Sequence, residues 1–254
     1  AKEGYLNILL SHQKNSKNPG DTKDMLHARR RFLDGDYYGP IASKISEILL
    51  ASMSAKDKLS LLDIGCGEGY YLRRVNERLS SLPLNDNLQL WGMDISKDAI
   101  RMAAKRGSEV HWLVGNNFKL PFKRDSLDCL LSVFSPVLAE ECLRVLVPGG
   151  LFIQVYPYED HLLSFKQQIY RGPKQDKDYE KYQEAPKGFS LRESHKVAYN
   201  LKLEANAIED LLQMTPLYWS VDEEKRRELL GKDLGEFQVS MGIVVYEKEA
   251  CCES

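Results

Sequence analysis

The chain has 254 residues, of which 43% are hydrophobic and 28% charged, with a formal net charge of -2 at pH 7. That length suits one large domain or a domain with a subdomain, and the apolar share permits a sizeable core. The near-neutral balance gives no global signal for nucleic acid or membrane, and no run reaches the roughly 18 apolar residues of a membrane helix.

The charge is unevenly spread. Residues 1–31 carry seven Lys/Arg against three acids, a net of +4 before His12 and His27 are counted. The first residues are mixed polar and charged, unlike a signal peptide, so the expected location is cytoplasmic. The five cysteines (Cys66, Cys129, Cys142, Cys251, Cys252) form no C-x-x-C pair and read as free thiols in a reducing compartment.

In chain order, residues 13–24 ("QKNSKNPGDTKD") read as a polar loop. Helical spacing predicts helices over 24–34 and 41–53. The pattern then alternates: strand 59–64, helix 70–79, strand 88–93 ending at Asp94, helix 97–106, strand 110–114, strand 127–134, helix 139–145 stopped by "PGG" at 148–150, and strand 151–156. Strands alternating with helices predict an α/β fold with a doubly wound, mostly parallel sheet. Residues 171–195 are highly charged and irregular and read as an exposed insertion or lid. The tail predicts helices over 205–214 and 223–230 and a strand over 238–246.

Ligands of such sheets bind beyond the carboxyl ends of the strands. After the first buried strand comes "LLDIGCGEGYY", which spaces Gly65, Gly67 and Gly69 two apart, with Asp63 before the loop and Glu68 inside it. Bare backbone allows a tight turn and a close approach to a ligand. Two acids there would repel a pyrophosphate, but they suit a ligand with an ammonium group and neutral ribose hydroxyls. S-adenosylmethionine has both. The plainer reading is a tight strand–helix turn without a ligand.

Asp94 can accept both hydroxyls of an adenosine ribose. Alternatively it caps the next helix, a task Ser96 could perform instead. Asn116 and Asn117 can read an adenine edge or simply shape the loop. Leu120-Pro121-Phe122 would supply an apolar wall. In "SVFSP" (132–136), Ser135 can hydrogen-bond a reacting base and Phe134 can stack on it. His161 is either a ligand contact or a structural histidine. Arg29, Arg30 and Arg31, on one helix, either hold phosphates or form a solvated face.

The combination D-x-G-x-G-x-G, acidic strand end and "GNNFKLPF" resembles the class I S-adenosylmethionine-dependent methyltransferases over about 60–157. More narrowly, "AKEGYLNIL", "NPGD", "ARRRFLD", "DIGCGEGYY" and "LLQMTP" (211–216) resemble the bacterial 23S rRNA (guanine-N1) methyltransferases over nearly the whole chain. The resemblance implies a Rossmann-like domain over 56–254, preceded by a basic loop and helices over 1–55. It implies methyl transfer to guanine N1 in a 23S ribosomal RNA hairpin, with no membrane partner; a homodimer is compatible with it. It implies that Tyr38, Gly67, Glu68 and His161 lie at the cofactor. The family also carries an N-terminal zinc finger. Its ligands are absent from these residues, so no zinc is expected from them and RNA grip is the property in question. Two other readings stand beside this one: a small-molecule methyltransferase of the same fold, and a non-catalytic cofactor- or RNA-binding protein.

Overall fold

The computed structural model describes residues 3–9, 20–53, 58–80, 88–107, 109–170, 177–182 and 184–250. Most of the 13–24 loop, residues 171–176 of the charged segment, and Cys251 and Cys252 lie outside them. The elements are, in chain order, β1 (Tyr5–Asn7), α1 (Lys23–Asp34), α2 (Gly39–Met53), β2 (Leu59–Ile64), α3 (Tyr70–Leu79), β3 (Leu88–Asp94), α4 (Lys97–Ala104), β4 (Val110–Val114), β5 (Leu127–Val133), α5 (Ala139–Val145), β6 (Leu146–Pro157), α6 (Leu163–Ile169), β7 (Phe189–Lys202), α7 (Ala205–Gln213), α8 (Glu223–Leu230) and β8 (Glu236–Lys248). Short 3-10 turns cover Lys177–Tyr182 and Pro216–Ser220.

The strands form one sheet in the order β1-β4-β3-β2-β5-β6-β8-β7. Every pair from β1 to β6 is parallel, and β8 runs antiparallel to both its neighbours. β2 is buried along its whole length. Its side chains alternate between two cores: Leu59 and Leu61 pack on one face with α1, α2, α3, α4 and α7, while Leu62 and Ile64 pack on the other with α5. A strand covered on both faces must be apolar at successive positions, which is why 59–64 reads as a continuous run.

The expected helices are present, with ends shifted by at most two residues. Four parts of the chain differ from expectation. "PGG" does stop α5, but it lies inside the start of β6, where the register with β5 shifts. Gly149, at φ 72, supplies the turn that a side chain would resist. β1 and α6 were not expected; three and seven residues are too short to carry a periodic signal. Finally, residues 189–195 are not part of an insertion. They begin β7, the edge strand, which pairs with β8 throughout its length. An edge strand tolerates charge, and the bulge between Leu191 and Glu193 breaks its alternation.

α1 also differs from a free basic face. Arg29 is ion-paired with Asp21, Arg30 lies 3.7 Å from Asp34, and Arg31 forks onto Asp210 of α7. Asp34 is shared with Arg73 and Arg106, so Arg29 and Arg31 are tied to acids of their own chain while Arg30 has only part of one.

Candidate active site

The strand order reverses between β2 and β5: from β2 the chain builds outward through β3 and β4, then returns to β2's other side. At that switch point the strand ends splay and leave a crevice. A cavity of about 340 Å³ opens there, lined by the residues that follow β2, β3, β4 and β5 and roofed by Gly20, Asp21, Arg29 and Leu33. Its size falls in the range of small-ligand pockets, roughly 300–1,000 Å³.

The glycine loop forms the floor. Gly65, Gly67 and Gly69 all have positive φ, at 73, 56 and 84. Their surroundings differ. A Cβ on Gly65 would fall 2.0 Å from Ser135 Oγ, and one on Gly69 would fall 2.5 Å from the Trp112 ring. One on Gly67 would meet only Arg29 Nη1, at 3.9 Å. Gly67 therefore leaves backbone bare toward the cavity. Gly69 serves packing: it starts α3 and does not line the cavity.

Two acids face the cavity in different states. Asp94, at the end of β3, accepts from Gly67 N at 2.9 Å and Ser96 N at 2.7 Å. Ser96, not Asp94, caps α4, through Ala99 N at 3.3 Å. Asp63 is buried and neither carboxylate oxygen has a hydrogen-bond partner. Burial, and then the Asp94 charge, push its pKa up to about 8. A buried unpaired carboxylate is costly unless a cation or donor reaches it. Asp63 thus matches a ligand that brings positive charge into the cavity, and this fits the ammonium and sulfonium groups of S-adenosylmethionine.

Glu68 is also buried, which raises its pKa to about 7. Arg106 Nη1 sits 3.2 Å from Glu68 Oε2, close enough for ion pairing but not aligned as a hydrogen bond. The two asparagines divide their tasks. Asn116 Oδ1 accepts from Phe118 N at 2.9 Å and so shapes the turn. Asn117 donates Nδ2 to Ser135 Oγ at 3.0 Å and keeps a buried, unpaired Oδ1.

Tyr38 and His161 do not line the cavity. They stand behind Phe134, which does: the Tyr38 ring is 6.5 Å from that of Phe134 and 6.4 Å from that of His161. His161 is buried and its pKa is held near 3, by burial and then by Lys166. It stays neutral and is a poor proton acceptor. Leu120 packs in the opposite core, and Pro121 and Phe122 line a second cavity rather than this one, so they do not wall the site as expected.

Sequence reading missed Asp21, Tyr71 and Phe118, which all line the cavity. All three lie within quoted motifs, yet nothing in their spacing says which way they face. The Arg29 guanidinium in the roof also reaches Met214 O at 3.3 Å, within "LLQMTP". That contact gives the tail motif a place beside the cavity. Among the described residues no group of three His, Cys, Asp or Glu is arranged to hold a metal ion, and no helix is long and apolar enough to cross a membrane.

A model of the methyltransferase domain matches residues 61–150. YxjB of Bacillus subtilis (strain 168), a candidate 23S rRNA (guanine-N(1)-)-methyltransferase, is 28% identical over 253 residues, covering 96% of this chain and 86% of that protein. The 23S rRNA (guanine(748)-N(1))-methyltransferase of Streptomyces fradiae is 27% identical over 248 residues, covering 96% and 84%. Among solved structures, YcgJ of Bacillus subtilis matches with a TM-score of 0.53 at 15% identity, covering 81% of this chain and 98% of its own. A candidate methyltransferase of Haloferax volcanii, solved in complex with the Trm112 methyltransferase activator, gives 0.54 at 22%, covering 89% and 96%.

Fold, glycine loop and domain match together define a class I S-adenosylmethionine-dependent methyltransferase. Within that class, the chain is distantly similar over most of its length to the 23S rRNA guanine-N1 methyltransferases.

Proposed function

We propose that this enzyme methylates N1 of a guanine in 23S ribosomal RNA. The observation that carries the reading is the extent of the likeness: both RNA-modifying relatives align over 96% of the chain, well beyond the shared domain at 61–150. The matching flanks include α1 and "LLQMTP", which meet over the cavity through Arg29 and Met214.

Bound S-adenosylmethionine supplies an electrophilic methyl carbon on a sulfonium. Asp94 would accept from the ribose hydroxyls while its bonds to Gly67 and Ser96 hold it still. Asp63 would balance the ammonium charge, and the bare backbone of Gly67, after the turn at Gly65, would let the methionine end lie close to the loop. Glu68, paired with Arg106, would fix the loop's exit. Asn117 would meet the adenine with its unpaired Oδ1, while Asn116 holds the turn. Tyr38 and His161 would back the site through Phe134. The acceptor nitrogen gives up its proton as it gains the methyl group, so the reaction needs a proton acceptor, and His161 is unsuited to that task. The protein's main contribution is positioning, bringing the reacting atoms to about 3–3.5 Å.

The test is to incubate the protein with tritiated S-adenosylmethionine and unmodified 23S rRNA, then map the label by primer-extension stops and nucleoside mass spectrometry. Label at one guanine as 1-methylguanosine is the expected result. Tight donor binding with no label in RNA would overturn the reading and favour a small-molecule acceptor.

A further inference from the structure

On the sheet face away from α1 and α2 lies a second cavity, of about 380 Å³, that the methyl-donor site does not use. Among the described residues, α5 is the one α-helix that contributes to the core on this face, and toward β4 and β1 the sheet runs out from under it. Tyr5 and Leu9 turn to the first core, so Leu6 and Ile8 turn to this side, where they are 55% and 39% exposed. Ile8, Trp91 of β3, Leu113 of β4 and Phe122 line the cavity, with Gln89 and Lys123 among its polar groups.

The aromatic wall is held in place. The Phe122 ring meets Trp91 edge-on at 5.4 Å, and the ring of His111, the register partner of Trp91, is centred 4.3 Å from the indole. α5 pins the loop that carries Phe122. Arg144 donates to Leu120 O at 2.9 Å and to Phe122 O at 2.7 Å, and Glu141 Oε2 accepts from Leu120 N at 2.8 Å. The same loop lines the first cavity through Asn116, Asn117 and Phe118. One pinned segment therefore borders both cavities.

The rim of the second cavity is basic. Lys123 and Arg124 are exposed and have no ion partner among the described residues, whereas Arg29, Arg31, Arg106 and Arg144 are all tied to acids. The adjacent acid, Asp125, is drawn to Lys248 at 2.5 Å, and Asp128 accepts from Ser60 N at 2.9 Å. Two unneutralised cations beside an aromatic wall match a phosphate and a flat base. Gln89 adds an amide that can both donate and accept. Among the described residues the lining has no glycine loop and no helix start of the kind that holds a free nucleotide's phosphates. A weak site suffices for a tethered ligand, because a strand already held in the first cavity presents its other nucleotides at high effective concentration.

We infer that this second cavity docks a nucleotide of the RNA strand other than the one methylated, its base against Trp91 and Phe122 and its phosphate on Lys123 and Arg124. The inference rests on the RNA reading above and adds to it a second point of contact, outside the donor site.

The test compares the double variant Lys123→Ala/Arg124→Ala and the single variant Trp91→Leu with the unaltered protein. A control, Lys97→Ala/Arg101→Ala, removes the same charge from exposed positions of α4, which packs on the other face of the sheet. Binding of 23S rRNA is measured across a salt titration, and S-adenosylhomocysteine affinity by calorimetry. Losing two phosphate contacts should flatten the slope of log affinity against log salt by about 1.4–1.8. Losing the indole should weaken RNA binding by roughly five- to a hundredfold. Cofactor affinity should not change in either, and the α4 control should keep its slope. Cavity variants that bind RNA with unaltered affinity and slope would overturn the inference and leave the RNA reading standing. An equal loss in the α4 control would also overturn it, since overall charge would then be the cause. An unaltered protein that binds S-adenosylhomocysteine but no RNA would overturn both readings. Guanosine monophosphate that binds as tightly as RNA, and loses that affinity in the double variant, would replace it with a free-nucleotide site. A dimer that Ile8→Glu dissociates would assign the face to a second copy and overturn it too. The exposed pair carries the test if Trp91→Leu does not fold.

Discussion

Asp63 and Asp94 close adjacent strands and face one cavity, yet their carboxylates are in opposite conditions. Asp94 is held by two backbone N–H groups, from Gly67 and Ser96; Asp63 has no hydrogen-bond partner at either oxygen. One acid is fixed before a ligand arrives, and the other is left for the ligand to satisfy.

Asp94→Ala removes an acceptor from both N–H groups and from the expected ribose contact. Leaving such donors unpaired costs about 1–3 kcal/mol, so stability should fall measurably in urea titrations. Affinity for S-adenosylhomocysteine, measured calorimetrically, should fall by at least roughly tenfold, the equivalent of about 1.4 kcal/mol.

Asp63 gives a pH dependence with a definite sign. Its folded pKa is about 8, above the ordinary carboxylate value of 3.8. The unfolded chain therefore releases this proton first as pH rises. The group's favourable contribution is full below about pH 4 and is lost progressively as pH climbs to 8. Asp63→Asn should raise the Tm of the ligand-free protein at pH 8 by at least ~2 °C, flatten this slope, and weaken cofactor binding. Thermal melts from pH 5 to 9 check the first two effects.

His161 acts in the other direction. Its folded pKa of about 3 lies below the usual 6.5, so as pH falls the unfolded chain takes up the proton first. Stability from this group is present above pH 6.5 and is lost as pH falls toward 3. His161→Gln should make the acid limb of the melting profile shallower. It should leave the pH dependence of methyl transfer between 6 and 9 without a lost inflection.

Two of the loop glycines should separate stability from binding. Gly67→Ala carries a left-handed strain of roughly 1–2 kcal/mol and no clash, so it should fold and bind cofactor poorly. Gly69→Ala adds a ring clash with Trp112 to similar strain and should be the more destabilising, by a further ~1–3 kcal/mol. Urea midpoints and calorimetry on the two variants distinguish the roles. Equal destabilisation would refute the assignment.

Much of this site follows from local chemistry in the sequence. The glycine spacing, the acids at strand ends and the alternation of elements are short-range patterns, and they located the floor of the cavity. The parts that were not legible depend on tertiary placement. Nothing near Arg29 in the chain says that Asp21 would neutralise it or that Met214 would hold it. "LPF" reads as a wall because it is apolar and follows the right strand. The turn fixed by Asn116 instead sends Leu120 and Phe122 to the opposite core. β7 carries Val197, Tyr199 and Leu201 at a strand's spacing, but the charges of an edge strand obscured that signal.

The brace between Arg29 and Met214 joins positions 185 residues apart. A ribosome making this chain releases the glycine loop long before it makes the segment that orients the roof above it. The floor of the cavity is made early in synthesis, whereas its cover waits for a much later segment of the chain. Affinity for S-adenosylhomocysteine should therefore emerge only after Met214 has been made.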